Sequence, residues 1–209
     1  SLTTTFATGL YYQSPQNGEA TDDFGNPDLN SERTVHYAVG VEKDFRSGSS
    51  NGFILNMDFF YKDLDQLIIS STKTDSDGTP EVYSNRGTGN IKGIQSMLKW
   101  KRNEFSLVAS YTFLQSFRKK PSEKEYPSDY DQTHNLNLIA SYERSRWTYS
   151  TRFRYVSGRP YTPVDSAIYD GDNDVYVPIQ GEYFSERYEP FMQLDIRFDR
   201  KWVYDTWIL

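Results

Sequence analysis

Few side chains in this sequence are equipped for covalent or metal chemistry, and their spacing argues against most of it. There is no cysteine among the 209 residues, which rules out a thiol nucleophile, a disulfide framework and a thiolate metal site. The two histidines, His36 and His134, both fall inside alternating runs. A histidine so placed reads as a lining or rim residue before it reads as a base or a metal ligand. In the run Asp170-Gly171-Asp172-Asn173-Asp174 the carboxylates of Asp170, Asp172 and Asp174 alternate as calcium-binding oxygens do. The glycine that an EF-hand places next is replaced by Val175, and its distal glutamate is missing at the required spacing. The run therefore reads first as a solvated acidic loop, with calcium in an extracellular loop as the sharper alternative and no other cofactor expected. Carboxylates are numerous, but no pair is set at a defined separation, so a hydrolase is the least supported class. With 29 acidic residues against 23 basic ones and a net charge of -6, the surface is not built to neutralise phosphates. No nucleic-acid partner is expected.

The elements that must carry these side chains are strands. Aromatic residues make up 16% of the chain, yet its mean hydropathy is -0.75. No stretch approaches the roughly 20 apolar residues of a spanning helix. A spanning β-strand needs an apolar side chain only at every second position, so a membrane barrel is polar on average. Between Gly52 and Asp65, Phe53, Leu55, Met57, Phe59 and Tyr61 alternate with Ile54, Asn56, Asp58, Phe60 and Lys62. Val35, Tyr37, Val39 and Val41 repeat the pattern, as do Phe105, Leu107, Ala109, Tyr111 and Phe113, and then Leu136, Leu138, Ala140 and Tyr142. Met192, Leu194, Ile196 and Phe198 alternate with Gln193, Asp195, Arg197 and Asp199. Four polar side chains on one strand face do not fit a dry core, but they fit a wet lumen whose outer wall meets lipid.

The pattern predicts strands near residues 2 to 13, 33 to 45, 52 to 65, 81 to 100, 104 to 118, 132 to 143, 146 to 158 and 188 to 202, with a ninth beginning at Asp205. Strands of about 5 or 6 residues are usual in soluble proteins; these are long enough to cross a tilted bilayer path. Their connections alternate between short and long. Residues 46 to 51, 101 to 103, 143 to 145 and 203 to 204 are tight, whereas 14 to 32, 65 to 80, 119 to 131 and 157 to 187 are long and rich in Asp, Glu, Ser, Gly, Pro or Asn. Short turns at one end and long loops at the other are what periplasmic and extracellular ends of a membrane barrel require. Aromatics flank the tight turns: Phe45 and Phe53, Trp100 and Phe105, Tyr142 and Trp147, Trp202 and Trp207. An interfacial girdle accounts for them.

Four segments then resemble one family. Asn26-Pro27-Asp28-Leu29-Asn30-Ser31-Glu32-Arg33 resembles the NPxLxxE signature of TonB-dependent outer-membrane transporters. Asn85-Arg86-Gly87-Thr88-Gly89 with Ile91-Lys92-Gly93-Ile94-Gln95, Tyr130-Asp131-Gln132-Thr133-His134, and the run from Arg154 through Ser157-Gly158-Arg159 to Pro163 are similar to later barrel segments of that family, in family order. The resemblance implies an all-β, antiparallel transmembrane β-barrel of about 22 strands around a plug. Residues 1–209 would supply eight or nine strands of its C-terminal half, with the plug domain and the other strands outside the chain. On that reading neither terminus is a natural one.

The resemblance further implies active uptake, across the bacterial outer membrane, of a scarce bulky nutrient: a ferric siderophore, a cobalamin or an oligosaccharide. Energy would come from the inner membrane through TonB, which would touch a segment outside this chain, and no reaction would be catalysed. Arg152, Arg154, Asp195, Arg197 and Asp199 are the expected plug contacts, set against a plain solvated channel wall. Arg159, Tyr161, Tyr169 and Tyr176 in the longest loop, with Tyr126 and Tyr130 in the loop before it, are the expected contacts to a small-molecule ligand, since tyrosine offers stacking area and a hydroxyl at small entropic cost. Two other readings stand beside this one. A smaller passive barrel, a porin or an adhesion or assembly protein, predicts a closed barrel from these residues alone. A soluble extracellular carbohydrate-binding β-protein predicts that the faces bearing Phe59, Leu107 and Leu194 are buried under a second sheet.

Overall fold

The computed structural model describes residues 1–21, 25–46, 51–71 and 82–203. Its elements are β1 (Leu2–Gln13), β2 (Glu32–Asp44), β3 (Gly52–Ser70), β4 (Tyr83–Arg102), β5 (Phe105–Lys119), β6 (Tyr126–Pro127), β7 (His134–Arg144), β8 (Trp147–Val156), β9 (Pro160–Tyr161), β10 (Val164–Asp170), β11 (Val175–Gln180), β12 (Glu186–Arg187) and β13 (Phe191–Arg200). Eight of them form one antiparallel wall in the order β1-β2-β3-β4-β5-β7-β8-β13, and β6 adds to the outer end of β5. The eight expected spans recur in these wall strands. The ninth, with Trp207, lies outside the described residues.

Register turns the two-residue repeat into two continuous faces. Phe6 pairs with Val39, Val39 with Phe59 and Phe59 with Ile94. Ile94 then pairs with Phe113, while Tyr111 pairs with Leu136, Leu136 with Tyr155 and Tyr155 with Met192. On the opposite face Gly40 meets Asp58, Asp58 meets Gln95 and Gln95 meets Thr112; Thr112 meets Asn135, and next to it Asn137 meets Arg154 and Arg154 meets Gln193. One face is mainly apolar, with Lys43, Lys92 and Ser96 among its few polar members, and the other is mainly polar, with Ile54, Phe60, Val108 and Ile139 as apolar exceptions.

No packed core lies behind either face. Among the described residues the only buried apolar side chains are Leu64, Leu67, Val156 and Pro160. Phe59 is 45% exposed and Leu194 62%, so no second sheet covers them, and the soluble-sandwich expectation is not met. Nor do β1 and β13 pair with each other; they are the open edges of the sheet. These residues alone do not close a small barrel.

Two of the tight turns, at residues 103–104 and 145–146, fall one or two residues later than their composition suggests. Asn103 and Ser145 take left-handed backbone, with φ of 52° and 56°, which lets each turn reverse the chain with the right-handed twist of its strands. Around them lies the aromatic belt. Phe45 stacks on Phe53 at 4.3 Å, Trp100 meets Phe105 edge-on at 5.4 Å, and the Arg200 guanidinium lies 5.1 Å from the Trp147 ring and 4.8 Å from that of Trp202. Rings that are greasy on one side and polar at one edge suit the headgroup level.

The longest connection is not structureless. Residues 157–190 fold back as a small pair, β9 with β12, carrying a projecting hairpin, β10 with β11. The long-loop reading missed this because its Asp and Gly content masks a β-branched run: Val175, Val177 and Ile179 pair across from Asp170, Ile168 and Ser166.

Candidate functional site: the outer mouth and the polar face

The loops of the outer end are held by side chains that grip backbone. Asn85 donates from Nδ2 to the carbonyls of Asn30 (2.8 Å) and Gln66 (2.9 Å), while its Oδ1 accepts from the Asn30 amide at 2.7 Å. Asn26 Nδ2 donates to the Tyr83 carbonyl at 2.9 Å, and Glu32 accepts the Ile68 amide at 2.8 Å. The NPxLxxE-like segment thus ties the loop before β2 to the outer extension of the β3–β4 hairpin. It is a clasp rather than a ligand site.

A second clasp centres on Asp131, which is 1% exposed. One carboxylate oxygen accepts the Ser116 amide at 3.0 Å; the other accepts Thr133 Oγ1 at 2.8 Å and Arg187 Nη2 at 3.3 Å. Arg187 also donates to the carbonyls of Asp131 (2.8 Å) and Gly158 (3.1 Å). A buried carboxylate is tolerable only when so fully satisfied. At Gly158 a Cβ would stand 1.6 Å from the Tyr188 carbonyl oxygen, so only glycine lets the two arms of the long connection approach. Arg187 was not singled out from the sequence, and Asp131 entered only as a letter in a motif.

The six expected ligand contacts are dispersed. Tyr126 is half-buried in β6 opposite Arg118 on the polar side of the wall. Its ring meets Tyr183 edge-on at 5.0 Å and Phe184 at 6.2 Å. Burial, the neighbouring Tyr183 hydroxyl and Glu123 push its hydroxyl pKa up, against the pull of Arg118. Tyr161 donates its hydroxyl to Glu186, which raises its pKa, and stacks on Tyr188 at 4.5 Å; Arg159 lies beside it at the foot of the long connection. Tyr169 and Tyr176 face each other at 5.2 Å on the projecting hairpin. Tyr130 stands exposed in a turn. Tyr183 and Phe184, which build a cleft of about 520 Å³ with Tyr126, were not among the expected contacts. Two adjacent aromatics in an otherwise polar stretch were the available signal.

Asp170, Asp172 and Asp174 do not converge. Asp170 accepts the Asp172 amide at 3.0 Å and Asn173 Nδ2 at 2.8 Å, which holds its pKa below the ordinary carboxylate value, and Asp174 accepts the Tyr169 hydroxyl at 2.7 Å. Among the described residues no group of three acidic or histidine side chains is placed to hold a metal ion. The carboxylates of Asp170 and Asp174 brace the hairpin turn.

Arg152, Arg154, Asp195, Arg197 and Asp199 all fall on the polar face. Arg152 pairs across from Asp195 and Arg154 across from Gln193. Asp199 accepts Arg197 Nε at 2.9 Å and Nη2 at 2.8 Å, and Asp195 accepts Gln193 at 3.0 Å. The result is a ladder of guanidinium and carboxylate groups, solvated and free to exchange partners. His36 shares this polar face, its ring 4.2 Å from Tyr11, whereas His134 sits at the outer end of the apolar face, its Nδ1 2.9 Å from the Tyr111 hydroxyl oxygen.

A wall with one lipid-facing and one wet face, belted with aromatics at the turn end and clasped loops at the other, defines a transmembrane β-barrel wall. The profile described as TonB dependent receptor-like, beta-barrel matches residues 1–207. This chain belongs to the β-barrel family of TonB-dependent receptors, proteins of the bacterial outer membrane. Solved structures with the same fold include the pyoverdine outer membrane receptor FpvA from Pseudomonas aeruginosa PAO1 bound to pyoverdine, at 12% identity and a TM-score of 0.62, covering 94% of this chain and 27% of that one. The outer membrane transporter YddB from Escherichia coli has 13% identity and a TM-score of 0.62, covering 95% and 32%. The ferric-catecholate import receptor Fiu from E. coli has 14% identity and a TM-score of 0.57, covering 77% and 23%. The chain therefore spans a quarter to a third of the length of these proteins. No curated protein sequence matches it.

Proposed function

We propose that this chain is the C-terminal-half wall of a receptor that takes up a scarce bulky nutrient: a ferric siderophore, a cobalamin or an oligosaccharide. A plug domain of the same protein would fill the lumen, and TonB would supply inner-membrane energy through a segment elsewhere in it. The observation that carries the reading is the mainly polar face, which runs from Thr5 opposite Gly40 to Arg152 opposite Asp195 and holds only scattered apolar side chains such as Ile54, Val108 and Ile139. A passive wall needs only water there. Adjacent guanidinium and carboxylate groups add sites that can exchange partners with a plug as it moves, at little net cost, because exposed ion pairs are weak.

The role is uptake rather than catalysis, as the family of receptors to which the chain belongs would have it. The test is accumulation of three labelled probes, a ferric chelate, cobalamin and an oligosaccharide, in cells with and without the full-length receptor, each with and without a protonophore. One probe is expected to accumulate only in energised cells that carry the receptor. Accumulation that persists under the protonophore would point to a passive channel.

A further inference from the structure

The outer mouth of this wall carries a charge of its own. Among the described residues, the stretches joining wall strands at the outer end, 14–21, 25–31, 71, 82, 120–133 and 157–190, hold 13 acidic and 4 basic side chains. The described residues of the wall strands and the opposite turns hold 10 acidic and 18 basic side chains. A concave site ringed by one sign of charge concentrates the opposite sign and speeds its arrival. The charge on these loops favours cations over anions.

The cleft of about 520 Å³ opens within that acidic mouth, between the loop that carries β6 and the descending arm of the long connection. Its wall is aromatic: Tyr126, Tyr183 and Phe184. Its rim holds Glu123, Glu125 and Glu182 against Lys124. Glu125 is engaged by Asn90 Nδ2. Beside the cleft, the Lys120 ammonium lies 5.2 Å from the centre of the Tyr183 ring, so the chain already sets a cation on that aromatic surface. Aromatic faces attract ammonium groups through the ring quadrupole, more strongly as water is excluded.

We infer that the Tyr126–Tyr183–Phe184 cleft captures an organic cation, a solute bearing one or more protonated amines, with Glu123 and Glu182 as its counter-charges. This deepens the uptake reading and rests on the mouth being a ligand-capturing surface. The ligand's ammonium would replace Lys120 over the ring or sit on the Phe184 face, and its carbon chain would lie against Tyr126. An anionic ligand would have to cross the acidic mouth and then meet carboxylates.

The probe is spermidine, compared with its tri-acetylated, uncharged derivative, with binding to the purified full-length receptor in detergent followed by calorimetry. Spermidine is expected to bind at least tenfold more tightly than the acetylated form, and to weaken as salt rises. In the double variant Glu123→Gln/Glu182→Gln that preference should disappear, while Tyr183→Ala should lose binding of both. These three residues are exposed or half-buried and lie outside both clasps, so the variants are expected to fold, and an unchanged thermal transition checks it. Equal binding of the two probes, or binding of neither, overturns the cation inference. Neither outcome touches the uptake reading, which stands or falls on energised accumulation in cells.

Discussion

The wall and the mouth of this molecule are ordered by different means. Between the edge strands of the wall, backbone groups pair with a neighbouring strand, and side chains mainly choose which face is wet. At the mouth the chain leaves the ladder, and order comes from a few side chains, Asn85, Glu32, Asp131 and Arg187, that take over backbone donors and acceptors. Many weak, repeated preferences therefore fix the wall, and a few strong, local ones fix the mouth. Damage should be graded and face-dependent in the first, abrupt and residue-specific in the second.

The sharpest difference is expected at Asp131. Asp131→Ala removes a buried carboxylate, orphans the Ser116 amide and frees Arg187, a loss of about 3 kcal/mol or more. Thermal unfolding of the full-length receptor, together with protease nicking between residues 157 and 190, measures it. Next comes the lipid face. Leu194→Arg should cost about 2 to 4 kcal/mol near the bilayer midplane, whereas Gln193→Arg, one residue away on the wet face, should cost close to nothing; denaturant unfolding in lipid compares them. Equal losses would erase the distinction between the faces.

Asn85→Ala, which removes three hydrogen bonds between loops, should cost about 1 to 3 kcal/mol and loosen amide exchange around residues 26–32 while leaving β7 and β8 protected. The smallest effect concerns pH. The carboxylate of Asp170 has its pKa lowered by Asn173 and the Asp172 amide. Its contribution to the hairpin turn is therefore complete above the ordinary carboxylate value and fades as pH falls through the depressed one. Amide exchange at residues 170–175 should quicken below that point, with the wall strands unaffected.

The same division explains what the sequence made legible. Wall strands such as β3 and β13 announce themselves through alternation, because a strand between lipid and water must alternate, and that single constraint set both their faces and their order. Their ends were less legible: Asn103 and Ser145 turn through left-handed backbone that neighbouring residue types only hint at. Asp131 looked like one more loop acid. Its burial depends on Ser116 and Arg187, 15 and 56 residues away in the chain, and no local pattern encodes such a meeting. The aromatic cleft was half seen, because Tyr126 is conspicuous in its own loop but finds Tyr183 and Phe184 only after residues 157–190 fold back as paired strands. The acidic run at Asp170 reads first as a solvated loop, and in the structure Asp170 and Asp174 accept hydrogen bonds within the hairpin turn it forms.

The central claim is that one face of this sheet meets lipid and the other a wet lumen. A nitroxide scan of positions 192 to 199 in the full-length receptor, reconstituted in a bilayer, tests it most directly. Oxygen accessibility should peak at 192, 194, 196 and 198 and drop at 193, 195, 197 and 199, with a hydrophilic relaxation agent showing no matching peaks on the oxygen-rich positions. Accessibility that does not alternate, or that alternates with the hydrophilic agent favouring Leu194 and Ile196, would contradict the account.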